Sequence, residues 1–191
     1  MFWGNISHDA MESSMGYNGS FNWANHQSRG WNNPKLIAYA QSHDEERMMY
    51  KNLEFGNVSG SYSVKDFNTA LDRLELTWVV FNSIPGPKLI WQFGELGYDY
   101  SIDYNGRVGN KPIKWEYNTA SNRKDVYTVF SEVNKLKTNY PAFDGNDFSS
   151  DLSDKVKRIQ LNHTDQNFLV LGNFDVVNQS VVPNFKHTGV W

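Results

Sequence analysis

The sequence contains no cysteine. That excludes a disulfide framework, thiolate metal sites and cysteine-nucleophile chemistry. It also lacks a surplus of positive charge: Lys+Arg 18 against Asp+Glu 21 leave a net charge of -3. Nothing is left over to neutralise a phosphate backbone, so no nucleic-acid partner is expected. Long hydrophobic runs are absent. Stretches such as Trp78 to Phe81 and Phe168 to Leu171 fall well short of the roughly 18 apolar residues of a membrane span, so no membrane partner is expected. The opening Met1-Phe2-Trp3-Gly4-Asn5 has neither the basic nor the apolar region of a signal peptide.

What is present is aromatic and amide-rich. Phe, Trp and Tyr make up 15% of the residues, charged residues only 20%, and 22 of the 191 are asparagine. Flat rings stack on sugar faces, and neutral amides bond hydroxyls without demanding charge. Asparagine-rich turns account for the same composition. The length is sufficient to bury a core without covalent staples.

Hydrophobic periodicity organises the chain. Residues 1–33 read as a long ordered loop after a short strand. Lys35-Leu36-Ile37-Ala38-Tyr39-Ala40 is a buried-strand pattern behind Pro34. Phe67, Leu71, Leu74, Trp78 and Phe81 then fall on one helical face, from a start signal at Ser63 and Asp66 to a stop at Pro85-Gly86-Pro87. Lys88 to Phe93 reads as a second buried strand. Val126, Phe130, Val133, Leu136 and Tyr140 mark a second helix. This alternation predicts an α/β fold of parallel βα units, with chemistry at the strand ends. Beyond Phe143, Val156 to Asn162, Asn167 to Phe174 and Val176 to Val182 read as short antiparallel strands packed on the second helix. The expected division is 1–142 and 143–191, and the sequence reads as cut at both ends.

The sharpest cluster is Ser42-His43-Asp44-Glu45-Glu46-Arg47, a polar burst where an apolar strand ends. There a carboxylate and an imidazole can grip ligand hydroxyls, although a solvated loop leading into a helix fits as well. One histidine without a second at i, i+4 gives little support to a metal site. Trp3, Trp23, Trp31 and Trp115 are candidate sugar platforms, but core or loop anchoring is the expected role of each.

With its preceding strand, Ala38 to Arg47 resembles the fourth conserved region of the α-amylase family, glycoside hydrolase family 13. Ile84 to Gly97 is similar to that family's eighth strand and the Gly-Glu loop after it. The β-rich tail resembles the start of its C-terminal sandwich. The resemblance implies the C-terminal part of a (β/α)8 TIM barrel: residues 1–5 finishing strand six, 35–41 as strand seven, 88–93 as strand eight, and helices near 64–82 and 122–140. A truncated antiparallel sandwich domain would follow. It implies that Asp44 is the transition-state stabiliser and that His43, Arg47 and Glu95 contact substrate, an α-glucan or maltooligosaccharide.

A retaining glycosidase also needs a nucleophile and an acid/base carboxylate about 5 Å apart. In the family these lie upstream, and Arg123-Lys124-Asp125, Glu95, Asp9 and Glu12 do not replace them. The expectation is therefore a fragment of a glycosidase, inactive alone, whose open barrel edge invites self-association. Ser42 before the pair also occurs in branching enzymes, so hydrolysis and glucan transfer both remain open, as does a non-catalytic carbohydrate-binding module. No cofactor is expected of these residues, since the calcium that family members often hold is bound through upstream regions. The family suggests a secreted or periplasmic location.

Overall fold

The structure, a computed structural model, describes residues 2–186 and 188. Three short parallel strands form its first sheet: β1 (Phe2–Asn5), β2 (Leu36–Tyr39) and β5 (Lys88–Leu89), in the order β1-β2-β5. The register runs from Phe2 opposite Leu36 to Asn5 opposite Tyr39, and then Ala38 opposite Lys88. The C-terminal ends of β1 and β2 therefore open on the same side, beside that of β5. Both apolar runs read from the sequence are strands, shorter than 35–41 and 88–93. The second is cut after Leu89, and Phe93 takes φ 60 as the chain turns away.

Each strand leads into helix: α1 (Ser7–Met15) after β1, α2 (Met48–Phe55) and α3 (Phe67–Ser83) after β2, and α4 (Ser121–Asn139) after β5. Between α2 and α3 a small hairpin pairs β3 (Val58–Ser59) with β4 (Tyr62–Ser63). The long helices α3 and α4 lie where the 3.6-residue period placed them. Their contact is centred on Trp78, fully buried and edge-on to Phe130 at 5.7 Å. The cap of α3 is Asp66 rather than Ser63: its carboxylate accepts from the Asn68 and Thr69 amides at 3.1 and 3.0 Å.

Helix α1 corrects the reading of residues 1–33 as loop. Its buried face is made of Ser7, Ala10, Met11, Ser13, Ser14 and Met15, so it carries almost no apolar periodicity. Serines are tolerated there because they are bonded. The Ser13 hydroxyl donates to the Gly19 carbonyl at 3.0 Å, and the Ser14 hydroxyl accepts from Asn52 of α2 at 2.8 Å.

The second sheet is antiparallel, β6 (Phe148–Asp151), β7 (Val156–Leu161) and β8 (Phe168–Asn173), in that order. Its third strand precedes β7. The expected strand over 176–182 does not form, and Val177, Val181 and Val182 are exposed. The sheet packs mainly on α3 rather than on the second long helix as expected, which reaches it through Tyr140 at its C-terminal end, edge-on to Phe168 of β8 at 5.0 Å. A Cβ on Gly172 of β8 would stand 2.7 Å from Val80 and 3.1 Å from Leu76. Arg73 of α3 reinforces this join: its guanidinium donates to Ser13 and Ser14 of α1 and to Phe174 and Asp175 just past β8, at 2.6–3.2 Å. One continuous apolar core runs from Ile6 through Leu74, Trp78 and Phe81 to Ile159 and Phe174.

Candidate functional site

Where β2 ends, the chain passes through Gln41 into a tight loop that its own side chains hold. The Ser42 hydroxyl donates to the Glu45 carboxylate and accepts from the Asp44 amide at 3.2 Å. Asn5, at the end of β1, donates to the other Glu45 oxygen at 2.8 Å, tying the two strand ends together. Arg47, nearly fully buried, donates to the Ser42 and Glu45 carbonyls at 2.8 and 2.6 Å. With its neighbours engaged inward, the loop presents His43 and Asp44 outward. Their side chains are 67% and 72% exposed, with His43 Nε2 3.2 Å from an Asp44 carboxylate oxygen.

The pair opens on a cleft of about 600 Å³. Trp91, two residues beyond β5, forms part of one wall and packs at 5.5 Å on the His43 ring. The segment from Tyr98 to Ile113 forms the other. Glu46 fastens the two loops: its carboxylate accepts from the Ser101 hydroxyl at 2.7 Å and the Ile102 amide at 2.8 Å. Arg107 reaches back to the Asp44 carbonyl at 2.6 Å, and the Tyr98 hydroxyl donates to the Pro112 carbonyl at 2.5 Å. A ring platform, an imidazole and a carboxylate on one rim, with the amides of Gln92 and Asn110 nearby, can hold the face and hydroxyls of a sugar.

Of the four residues singled out in the sequence, His43, Asp44 and Arg47 line this cleft and Glu95 does not. Glu95 lies half-buried on the turn Gly94–Leu96, where burial pushes its carboxyl above the usual range. Arg47 spends two bonds on its own loop, and so acts there as a strut. Asp44 is open to solvent rather than buried, so in this chain its interactions carry no low-dielectric enhancement.

Among the described residues Asp44 is the only carboxylate lining the cleft. The Arg-x-Asp spacing at 123–125 has a structural use. Arg123 is buried in α4, stacks on Tyr117 at 3.7 Å, and donates to the Leu96 and Gly97 carbonyls and to Asp99 at 2.7 Å. Asp9 accepts from the Ser20 amide at 3.0 Å in the opening segment. The described residues contain no group of three or more metal-ligating side chains, and no helix is long and apolar enough to cross a membrane.

No protein-family model and no curated protein matches the sequence. Solved structures do. The type III pullulan hydrolase from Thermococcus kodakarensis superposes with a TM-score of 0.63 at 18% identity, over 88% of this chain and 29% of its own. An Anoxybacillus α-amylase gives 0.58 at 14% identity, over 89% and 35%. AmyP in complex with maltose gives 0.61 at 12% identity, over 88% and 39%. The fold is that of the α-amylase enzymes, over part of their length. The chain spans between 29% and 39% of these three structures. His43 and Asp44, on which the sequence resemblance rests, follow the end of the parallel strand β2.

Three partners in the site escaped sequence reasoning: Glu46, Trp91 and Arg107. Trp91 falls inside the apolar run read as strand, and only the early end of β5 frees its ring for His43. Glu46 and Arg107 act across 55 and 63 residues of sequence, which no local pattern reports. The four tryptophans anchor loops by ring contacts rather than by core burial. Trp3, Trp23 and Trp115 are 62%, 55% and 75% exposed, yet Trp3 meets Tyr39 at 6.3 Å, Trp23 lies under Arg29 at 3.8 Å, Trp115 meets Phe93 at 5.1 Å, and Trp31 rests on Phe2 at 5.1 Å.

Proposed function

We propose that this chain supplies one part of the substrate site of a retaining, α-glucan-active glycosidase. Residues 1–142 would be the closing βα units of its (β/α)8 barrel, and 143–191 the start of an antiparallel β domain. The observation that carries the reading is the His43–Asp44 pair at the C-terminal end of β2, with Trp91 packed on the His43 ring beside it on the rim of one cleft. Asp44 would accept hydroxyl bonds from the sugar and stabilise the oxocarbenium-like charge of the transition state, and His43 would donate to the same ring. Arg47 would fix both by holding their loop.

The chemistry stops there. Retention requires one carboxylate to attack the anomeric carbon and a second, about 5 Å away, to protonate the leaving oxygen. Among the described residues the cleft offers Asp44 alone. On its own the chain would bind maltooligosaccharides weakly and turn over none of them. The unpaired outer edge of β1, beside the exposed Phe2 and Trp3, would favour self-association.

The test is an assay of the purified chain on starch and on an activated α-glucoside, beside Asp44→Ala, with maltotriose binding followed by NMR. The expected result is no turnover by either protein, and binding by the native chain that weakens in the variant. Turnover that disappears in Asp44→Ala would show a complete active site and overturn the part-enzyme reading. Absence of any maltotriose binding would overturn the glucan reading itself.

A further inference from the structure

The cleft reverses the sign of the molecule. The chain is acidic, with net charge -3, yet Arg47, Arg107 and Lys111 line the cleft against the single carboxylate of Asp44. None of the three cations forms an ion pair among the described residues. A neutral glucan has no use for this excess, since rings and amides suffice for it, and like charges on one wall repel.

Arg47 is accounted for by its loop. The other two are held in place but not neutralised. Lys111 rests its ammonium on the Gly106 and Gly109 carbonyls at 2.7 and 2.8 Å, so its charge is fixed in the wall. Arg107 gives one Nη to the Asp44 carbonyl at 2.6 Å. The rest of its exposed guanidinium has no other acceptor among the described residues. That anchoring puts an open donor fork beside the residue placed to grip sugar hydroxyls. A planar fork suits a phosphate or carboxylate. A phosphate ester, with close to two negative charges at neutral pH, balances two cations where a carboxylate balances one.

We propose that the cleft takes a gluco-oligosaccharide bearing a phosphate ester, its sugar on Trp91 and Asp44 and its phosphate on the free edge of Arg107, with the Lys111 charge behind it. This rests on the glucan reading above. The experiment compares binding of maltotriose and of maltotriose 6-phosphate to the whole chain by NMR titration at low and at physiological salt. It is repeated with Arg107→Gln. A charge-assisted contact of this kind corresponds to about ten- to a hundredfold in affinity.

The phosphorylated sugar is expected to bind at least about tenfold more tightly at low salt. That ratio should shrink with added salt and fall toward one in Arg107→Gln. Equal affinity for the two sugars, or a preference undiminished in Arg107→Gln, overturns this inference and leaves the glucan reading standing. Binding of neither sugar overturns the glucan reading.

Discussion

Replacing Glu46 with alanine removes the fastening between the two walls of the cleft. Its carboxylate accepts from Ser101, Ile102 and, at 2.8 Å, the Arg47 amide. These losses are unequal. The Ser101 hydroxyl is half-exposed and can turn to water, and the Arg47 amide belongs to the same loop as Glu46. The Ile102 amide belongs to a residue that is only 5% exposed, and among the described residues nothing else is placed to accept from it. A buried donor left unpaired costs about 1–3 kcal/mol. Taking about 2 kcal/mol, local opening of the Tyr98–Ile113 wall becomes roughly thirtyfold easier. Native-state hydrogen exchange reads this directly. The Ile102 amide should exchange about thirtyfold faster in Glu46→Ala, while the amides of Leu74 and Trp78 in α3 keep their rates. Unchanged exchange at Ile102 would show that the carboxylate does not hold the wall. Equal acceleration everywhere would show that the residue supports the whole fold instead. Glu46→Gln keeps one acceptor and should fall between the two.

The Arg123→Met variant should destabilise the chain by about 3 kcal/mol in urea unfolding, because it leaves the largely buried Asp99 carboxylate without its counter-charge, with the Tyr117 hydroxyl still donating to it; a loss under about 1 kcal/mol would mean that the Arg123–Asp99 pair is not holding the turn. Lys137 has its pKa pushed down to about 8 by burial. Between pH 8 and its unfolded value near 10.5 the unfolded chain binds the proton that the native chain has lost, so stability rises with pH across that window. In Lys137→Met this part of the rise should vanish, and an unchanged slope of urea midpoint against pH would refute it.

Period and punctuation revealed the elements whose buried faces are apolar. Leu36 to Tyr39, the Trp78 face of α3, the Val126 and Val133 face of α4, and the Val156 and Phe168 runs are all legible in the sequence. Helix α1 is not, because its interior face is largely serine, and burying serine is allowed only by partners such as Asn52 that lie far along the chain. The valines at 176–182 have the high β-propensity of a third antiparallel strand. The sheet instead used Phe148-Ser149-Ser150-Asp151, because β7 offered its free edge there and a turn of four residues closes the hairpin. At the site, His43 and Asp44 were recognisable from their place after an apolar strand. Glu95 looked equivalent at the end of its own strand. The left-handed residue Phe93 turns the backbone before Glu95 is reached, and no composition rule reports that turn. Arg107 and Glu46 become functional candidates only once two loops far apart in sequence stand side by side.

Helix α3 has a consequence for modularity. One face meets α1 and α4, while Leu76, Val80 and Arg73 receive β8 and the segment after it. The antiparallel sheet is therefore not a cassette that recombination or protein engineering can exchange at the Pro141–Phe143 turn. A foreign sheet spliced there would meet a helix surface contoured to Gly172 and an arginine whose carbonyl acceptors had been removed. Any graft that keeps the cleft intact has to carry the outer surface of α3 along with the sheet.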